Sequence, residues 1–304
     1  MSKQLISVCI CTYQRPALLG ELLKALAAQQ IGDFTHEIVV VDNDATGSAR
    51  NVVDNFREQH PELSCKYDIQ PEKNIALTRN RTLALAEGDW IAFIDDDEIP
   101  VNDWLVRLRN TADAYQSRMV FAPVVPKYLP GTADWVIKGK FFERPRYRTG
   151  TSIPCDNART GNALVDAKLL RQFSPVFDPA LGLSGGEDSA LFDSLYQQGQ
   201  RFVWCDEAAV MEEVPLDRAN LRWLITRSLR TSQGYARRVI HSHSIFSISI
   251  LFGKGVLGVL LGMFLFLIFI PFGKPNSYKY LRRAAEGVGK LSVIFGFNQI
   301  QEYR

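Results

Sequence analysis

Residues 90–97 read Trp-Ile-Ala-Phe-Ile-Asp-Asp-Asp, an apolar run followed at once by three carboxylates. A short apolar run of this kind is typical of a buried strand, which we predict over Trp90–Ile94. Successive side chains leave a strand on opposite faces, so Asp95 and Asp97 point to the same side. Hard cations such as Mg²⁺ and Mn²⁺ prefer carboxylate oxygens, so the triplet is a candidate metal site, although a solvated acidic turn has the same composition.

The sequence on both sides of this strand alternates between strand and helix patterns. Strands are predicted over Leu5–Cys11, Glu37–Val41 and Met119–Val125, and helices over Pro16–Gln30, Leu77–Ala86, Asp103–Tyr115 and Glu187–Gln198. Such alternation predicts an α/β fold with a mostly parallel sheet and helices on both faces. Ligands of these sheets bind beyond the carboxyl ends of the strands, where polar residues follow three of the runs. Residues 126–160 lack periodicity and are predicted to form a long loop region.

Composition excludes some classes of protein. The 35 basic and 33 acidic residues nearly cancel to a net charge of +2, which does not favour a nucleic-acid-binding protein. The five cysteines include no Cys-x-x-Cys pair, so we expect a reducing compartment and no zinc site.

The composition changes sharply towards the C-terminus. In Ile245–Gly273 the only charged residue is Lys254, and Gly255–Phe272 is an uncharged stretch near the lower limit for crossing a bilayer. Basic residues flank it on both sides, so a single span and a segment lying in the membrane interface both remain open. We therefore predict a first domain over 1–215, a basic helical segment over 216–244, a membrane-embedded segment over 245–273 and a basic tail over 274–304.

Several motifs resemble those of the family 2 glycosyltransferases and follow the family's order over about the first 215 residues. The matching stretches are Ser7–Pro16, Glu37–Asn43, Asn74 with Arg79-Asn80, Phe93–Asp97 and Gly186–Asp188. The resemblance implies an inverting enzyme with the GT-A fold, a hexosyltransferase of class EC 2.4. It is strongest to bacterial members that extend lipid-linked saccharides.

The resemblance also implies roles for individual residues. Those expected to bind the nucleotide sugar are Thr12, Tyr13, Arg15, Asp42, Asn74, Arg79, Asp95 and Asp96. Mn²⁺ or Mg²⁺ would be held by Asp97, Asp95 and Glu213. Asp188 would be the general base and Glu187 would orient the acceptor, with Gly161 and Asn162 on the acceptor side. Structural roles remain open for many of these residues, including turn or cap positions for Asp42, Asn74, Gly161 and Asn162.

The sequence departs from the family pattern at two places. Glu212-Glu213 stands where many members have a histidine, and only Leu221-Arg-Trp223 remains of the Gln-x-x-Arg-Trp motif of processive polymerases. We therefore expect addition of one sugar, with UDP-glucose as the first choice of donor. The expected acceptor is a polyprenyl-diphosphate saccharide among membrane lipids, on the cytoplasmic face of the bacterial inner membrane.

Two other functions are compatible with single features of the sequence. A catalytically inert partner that binds nucleotide sugar in a membrane assembly is favoured only by the missing histidine. A metal-dependent nucleotidyltransferase is weakened by the absence of a glycine-rich phosphate loop near the first strand. The sequence makes no prediction of the oligomeric state.

Overall fold

The computed structural model describes residues 3–242, 245–298 and 300, which form two compact units. The first unit contains the described parts of Met1–Val125 and Arg144–Glu212, and the second contains those of Pro126–Glu143 and Glu213–Arg304. Residues 126–143, expected to belong to a long loop, are thus grouped with the C-terminal helices.

The secondary structure follows the predicted alternation. The strands are β1 (Gln4–Thr12), β2 (Phe34–Asp42), β3 (Cys65–Ile69), β4 (Trp90–Ile94), β5 (Glu98–Pro100), β6 (Met119–Phe121), β7 (Val124–Tyr128), β8 (Asn162–Asp166), β9 (Val203–Trp204) and β10 (Val210–Val214). The helices are α1 (Pro16–Ala27), α2 (Arg50–Gln59), α3 (Ile75–Leu85), α4 (Trp104–Ala114), α5 (Asp134–Gly139), α6 (Ala167–Leu170), α7 (Glu187–Gln197), α8 (Leu221–Ser242), α9 (Ile245–Phe269) and α10 (Lys274–Ile294). The single strand expected over Met119–Val125 is two strands, β6 and β7.

The main sheet has the strand order β3-β2-β1-β4-β8-β6-β9. Strands β1 to β4 are parallel to one another, whereas β8 is antiparallel to both β4 and β6. Alternate residues of β1 enter different cores, with Val8 and Ile10 on one face and Cys9 on the other. Burial of both faces explains the continuous apolar runs and confirms the predicted mostly parallel α/β sheet.

Strand register brings the polar residues of the sequence motifs to one edge of the sheet. Thr12 lies opposite Asp42 where β1 and β2 end, and Cys9 lies opposite Phe93 of β4. Since β8 runs antiparallel to β4, its first residue, Asn162, lies opposite Ile94 at the same edge. The acidic triplet therefore emerges between the end of β1 and the start of β8.

The second unit contains the long C-terminal helices. Val136, Val214 and Ala219 form its buried apolar cluster, and α10 packs against both α8 and α9. The apolar segment Ile245–Phe272 has a mean hydropathy of 2.6 in its most apolar window, of which 11% is buried. It is long and apolar enough to cross a membrane, and its exposure distinguishes it from the core helix of a soluble protein.

Candidate functional site

The acidic triplet is held by residues that follow β1. Thr12 Oγ1 donates a hydrogen bond to Asp96 Oδ2 at 2.7 Å. The Arg15 guanidinium contacts Asp96 Oδ1 at 3.1 Å and Asp97 Oδ2 at 2.9 Å. Asp96 is buried, whereas 48% of the Asp95 side chain is exposed. Asp95 therefore has the most accessible carboxylate of the three.

Negative charge accumulates at this edge of the sheet. Burial first, and then the charge of Asp97, raise the pKa of Asp96 to about 6 against the opposing effect of Arg15. The pKa of Asp95 is raised to about 6 by desolvation and by Asp97, Asp96 and Glu212, with Arg79 opposing the rise. The charges of the neighbouring carboxylates therefore act on Asp95 even though nearly half of its side chain is exposed.

Arg79 connects the triplet to the start of α7. Its guanidinium forms an ion pair with Glu187 Oε1 and lies 3.7 Å from Asp95 Oδ1. Although burial lowers the pKa of Arg79, the charges of Glu187, Asp95 and Asp188 raise it above its usual value. The structure thus brings three predicted site residues, Glu187, Asp95 and Asp188, around the Arg79 guanidinium.

Asp188 lies in the first turn of α7, after Gly186 in a left-handed conformation with φ of 97°. Its carboxylate accepts a hydrogen bond from the backbone N–H of Ser189 at 2.6 Å. The side chain is partly exposed, whereas that of Glu187 is buried. Asp188 is therefore the member of the Glu187-Asp188 pair that solvent, and hence a hydroxyl group, can reach.

Three of the predicted binding residues make hydrogen bonds within the protein. Asp42 is fully buried and accepts hydrogen bonds from Asp44 N, Ala49 N and the Tyr67 hydroxyl. The Asn74 side chain caps α3 by accepting from Leu77 N. The Asn162 side chain accepts from Trp104 Nε1 and donates to two backbone carbonyls. In each case the polar atoms are occupied within the protein.

Sequence reasoning did not identify Glu98. This residue is 1% exposed, and its Oε2 accepts a hydrogen bond from Asp95 N at 2.9 Å, which fixes the turn that carries the triplet. Burial and the charge of Asp95 raise its pKa well above the usual value. A Cβ at Gly161 would lie 2.8 Å from Glu98 Oε1 and 3.3 Å from Asp95 Oδ2. The available signal was the acidic run itself, which continues from 95 to 98.

Glu212 belongs to the first unit and Glu213 to the second. Glu212 lies opposite Glu98 in the β5–β10 ladder, contacts Arg144 at 3.3 Å and raises the pKa of Asp95 by its charge. Glu213 forms an ion pair with Lys127 at 2.8 Å. Its use as a metal ligand would require this pair to break.

The donor set fits a divalent cation that is completed by a substrate. Five carboxylates lie near one another at this edge: Asp95, Asp96, Asp97, Glu98 and Glu212. Three arginines, Arg15, Arg79 and Arg144, contact members of this group and offset part of its negative charge. The pKa values of Asp95, Asp96 and Glu98 are raised by burial first and then by the charges of the neighbouring carboxylates. Within residues 3–242, 245–298 and 300, no three His, Cys, Asp or Glu side chains form a ready-made metal cluster. Phosphate oxygens would have to supply the remaining ligands, as is usual for Mg²⁺.

Comparisons with known proteins point to one family. The sequence pattern described as "Glycosyl transferase family 2" matches residues 7–171. The chain is 32% identical over 304 residues to the succinoglycan biosynthesis protein ExoM of Rhizobium meliloti (strain 1021), covering 98% of this chain and 95% of the relative. It is 25% identical to the glucosyl-dolichyl phosphate glucuronosyltransferase of Haloferax volcanii, with 77% of each chain covered.

Solved structures share the fold at lower sequence identity. The mannosyltransferase PcManGT from Pyrobaculum calidifontis, in complex with GDP-Man and Mn²⁺, superposes with a TM-score of 0.67 at 18% identity, covering 97% of this chain and 88% of that one. S. aureus TarS 1-349 in complex with UDP superposes with a TM-score of 0.56 at 17% identity, covering 96% and 91%.

Proposed function

The chain belongs to glycosyl transferase family 2, a family of glycosyltransferases, and on this premise we propose that it transfers a hexose from UDP-glucose to a lipid-linked saccharide. The observation that carries the proposal is the arrangement around Arg79, which pairs with Glu187 and neighbours Asp95. It connects a carboxylate-rich diphosphate site to the base at the start of α7.

The donor half of the site would bind the diphosphate through a divalent cation. Asp97 and Asp95 are the proposed ligands, whereas Glu213, the third donor expected from the sequence, is paired with Lys127 and is left out of the proposed set. When bound there, Mn²⁺ or Mg²⁺ would supply Lewis-acid stabilisation of the charge that develops on the leaving diphosphate. Thr12 and Arg15 hold Asp96 and Asp97 in place, and Tyr13, Asp42 and Asn74 shape the nucleotide side of the edge.

The acceptor half would perform the proton transfer. Asp188 takes the proton from the acceptor hydroxyl. As it does so, the hydroxyl oxygen bonds to the anomeric carbon and the bond from that carbon to the diphosphate breaks. Glu187, held by Arg79, orients the acceptor, and Gly161 with Asn162 shapes the acceptor side. Attack opposite the leaving group inverts the anomeric centre, so an α-linked donor yields a β-glycoside.

The acceptor is proposed from the relatives and from α9. One relative acts in succinoglycan biosynthesis and another is named for a glucosyl-dolichyl phosphate. A mostly exposed apolar helix in the second unit supports an acceptor held at a membrane. We place the protein on the cytoplasmic face of the bacterial inner membrane, where it adds a single sugar.

A donor panel tests the proposal. Purified protein is incubated with UDP- and GDP-sugars and Mn²⁺ or Mg²⁺, and release of nucleoside diphosphate is measured with and without a lipid extract of the bacterial membrane. We expect release with UDP-glucose, stimulation by the extract and loss on adding EDTA. Release that EDTA leaves unchanged would contradict the metal site, and no release with any donor would favour a catalytically inert assembly partner.

A further inference from the structure

The charged helix α10 lies along the apolar helix α9, and from this packing we infer that α9 lies in the membrane interface rather than across the bilayer. Both of its ends would then be on the side that holds the sugar donor. The inference rests on the membrane association proposed above, but it does not depend on the transfer reaction.

Glycines of α9 let the two helices approach closely. A Cβ at Gly255 would lie 2.9 Å from Leu291 Cδ2, and one at Gly262 would lie 2.7 Å from Ala284 N. At the far end, the rings of Phe269 and Tyr280 lie 4.8 Å apart. Rising numbers on α9 pair with falling numbers on α10, so the helices are antiparallel and remain together from 255 to 269.

This pairing places charged residues beside the uncharged part of α9. The segment of α10 between Tyr280 and Leu291 contains Arg282, Arg283, Glu286 and Lys290. If α9 crossed the bilayer, these residues would lie at the depth of the hydrocarbon core. Charged side chains are costly there, and such a span would have to carry four of them on one neighbouring helix.

A second charged helix is attached to the same pair. Arg282 Nε donates to Ser228 Oγ of α8 at 3.2 Å, and Gln233 Nε2 of α8 donates to Ser292 Oγ at 2.9 Å. Helix α8 is rich in arginine between Arg222 and Arg238. A spanning α9 would therefore carry α10, and α8 with it, into the membrane, whereas an interfacial α9 leaves both helices in water.

The opposite face of α9 fits a lipid surface. Side chains three or four residues apart form an exposed apolar stripe, with 62% of Leu257, 65% of Leu260, 60% of Phe264 and 59% of Leu267 accessible. Lys254 on the helix and Lys274 beyond its end are exposed as well. An apolar stripe with lysines beside it is suited to the boundary between anionic headgroups and acyl chains.

Labelling with a membrane-impermeant maleimide tests the topology. Full-length Asn276→Cys reports on the C-terminal end of α9, and Glu62→Cys on the first unit; wild type, with its own five cysteines, gives the background. In spheroplasts of a bacterial host, we expect both variants to label only after lysis. Labelling of Asn276→Cys before lysis, while Glu62→Cys stays protected, would establish a span and overturn the inference.

Insertion depth gives an independent measurement that needs no donor or acceptor. Phe264→Cys and Phe272→Cys carry an environment-sensitive fluorophore in phosphatidylglycerol vesicles with a quencher placed near the headgroups or near the bilayer centre. We expect both positions to favour the shallow quencher, with quenching ratios that agree within twofold. Deep quenching confined to Phe264→Cys would indicate a span. No quenching, together with disulfide-linked Phe264→Cys dimers, would show that a second copy covers this face, and either outcome overturns the inference.

Discussion

At the scale of single residues, the site separates side chains that are free to act from those that hold the fold. Asp95, Asp97 and Asp188 are partly exposed, with Asp97 paired to Arg15, whereas Asp42 and Asn162 are buried and use their polar atoms in internal hydrogen bonds. The sequence predicted all of them as site residues, with different roles. Motif position identifies which residues recur around a site, but burial and hydrogen bonding decide which of them a substrate can reach.

Removal of the proposed metal ligand Asp97 tests the first group. We expect Asp97→Ala to reduce Mn²⁺-dependent transfer by at least about 10²-fold, because charge stabilisation of a leaving group typically has that effect. Steady-state rates at saturating donor measure it, and circular dichroism checks the fold. The matched control is Asp113→Ala, since Asp113 forms only a surface ion pair with Arg109. Equal turnover in Asp97→Ala and wild type would contradict the assignment.

The two neighbouring glutamates provide a second comparison. The charge of Glu212 raises the pKa of Asp95, whereas Glu213 is paired with Lys127. We expect Glu212→Gln to weaken Mn²⁺ activation by about tenfold, because it removes negative charge beside the site. Glu213→Gln should change the Mn²⁺ concentration for half-maximal rate by less than twofold. The reverse order would identify Glu213 as the ligand.

Glu98 and Asp95 leave no room for a side chain at Gly161. A Cβ there would meet the carboxylates of both Glu98 and Asp95, so Gly161→Ala must displace the turn that carries the triplet. Small misplacements of reacting groups can cost about 10²-fold in rate, and we expect a loss of that order in kcat. Gly20→Ala is the control, because its Cβ would approach nothing closer than Val52 Cγ1 at 3.6 Å. Equal kcat values for the two variants would exclude this explanation.

At the scale of elements, one buried carboxylate connects strands β1, β2 and β3 at the end of the sheet opposite the candidate site. Glu37 of β2 accepts hydrogen bonds from Ser7 Oγ of β1 and from the backbone N–H of Glu87, and pairs with Lys66 of β3 at 2.8 Å. Burial raises the pKa of Glu37, but these three partners lower it below the ordinary value. The ionised form is therefore favoured in the folded state.

The sign of the resulting pH dependence follows from linkage. A folded-state pKa below the unfolded value adds stability at neutral pH that is lost as the pH falls through the folded value. We expect Glu37→Gln to reduce the free energy of unfolding at pH 7 by about 2 kcal/mol, and Tm by roughly 5 °C. The difference from wild type should shrink below about pH 4. Thermal melts across pH test this, with Glu21→Gln, an exposed pair with Lys24, as the control. A pH-independent difference would contradict the assignment.

At the scale of the whole molecule, the apolar stripe of α9 should govern access to a membrane acceptor. We expect Leu260→Glu to lower transfer to lipid-linked acceptor in vesicles by about tenfold, because a charge on the stripe opposes burial in the interface. Diphosphate release from donor without acceptor should stay unchanged. Ile31→Glu, at another exposed apolar position, is the control. Equal losses of acceptor-free release and of transfer would point to misfolding instead.

The sequence by itself determined the α/β class, the sheet edge at which the motif residues meet and the apolar C-terminal helix. These features are local, because apolar runs, turn residues and charge patterns depend on residues that are close together in the sequence. Only the tertiary structure revealed that Glu98 supports the triplet, that Arg79 joins Asp95 to Glu187, and that β8 returns antiparallel beside β4. Each of these contacts depends on strand register and on burial between distant segments. The packing of α10 on α9 is of the same kind, and hydropathy alone left both membrane arrangements open.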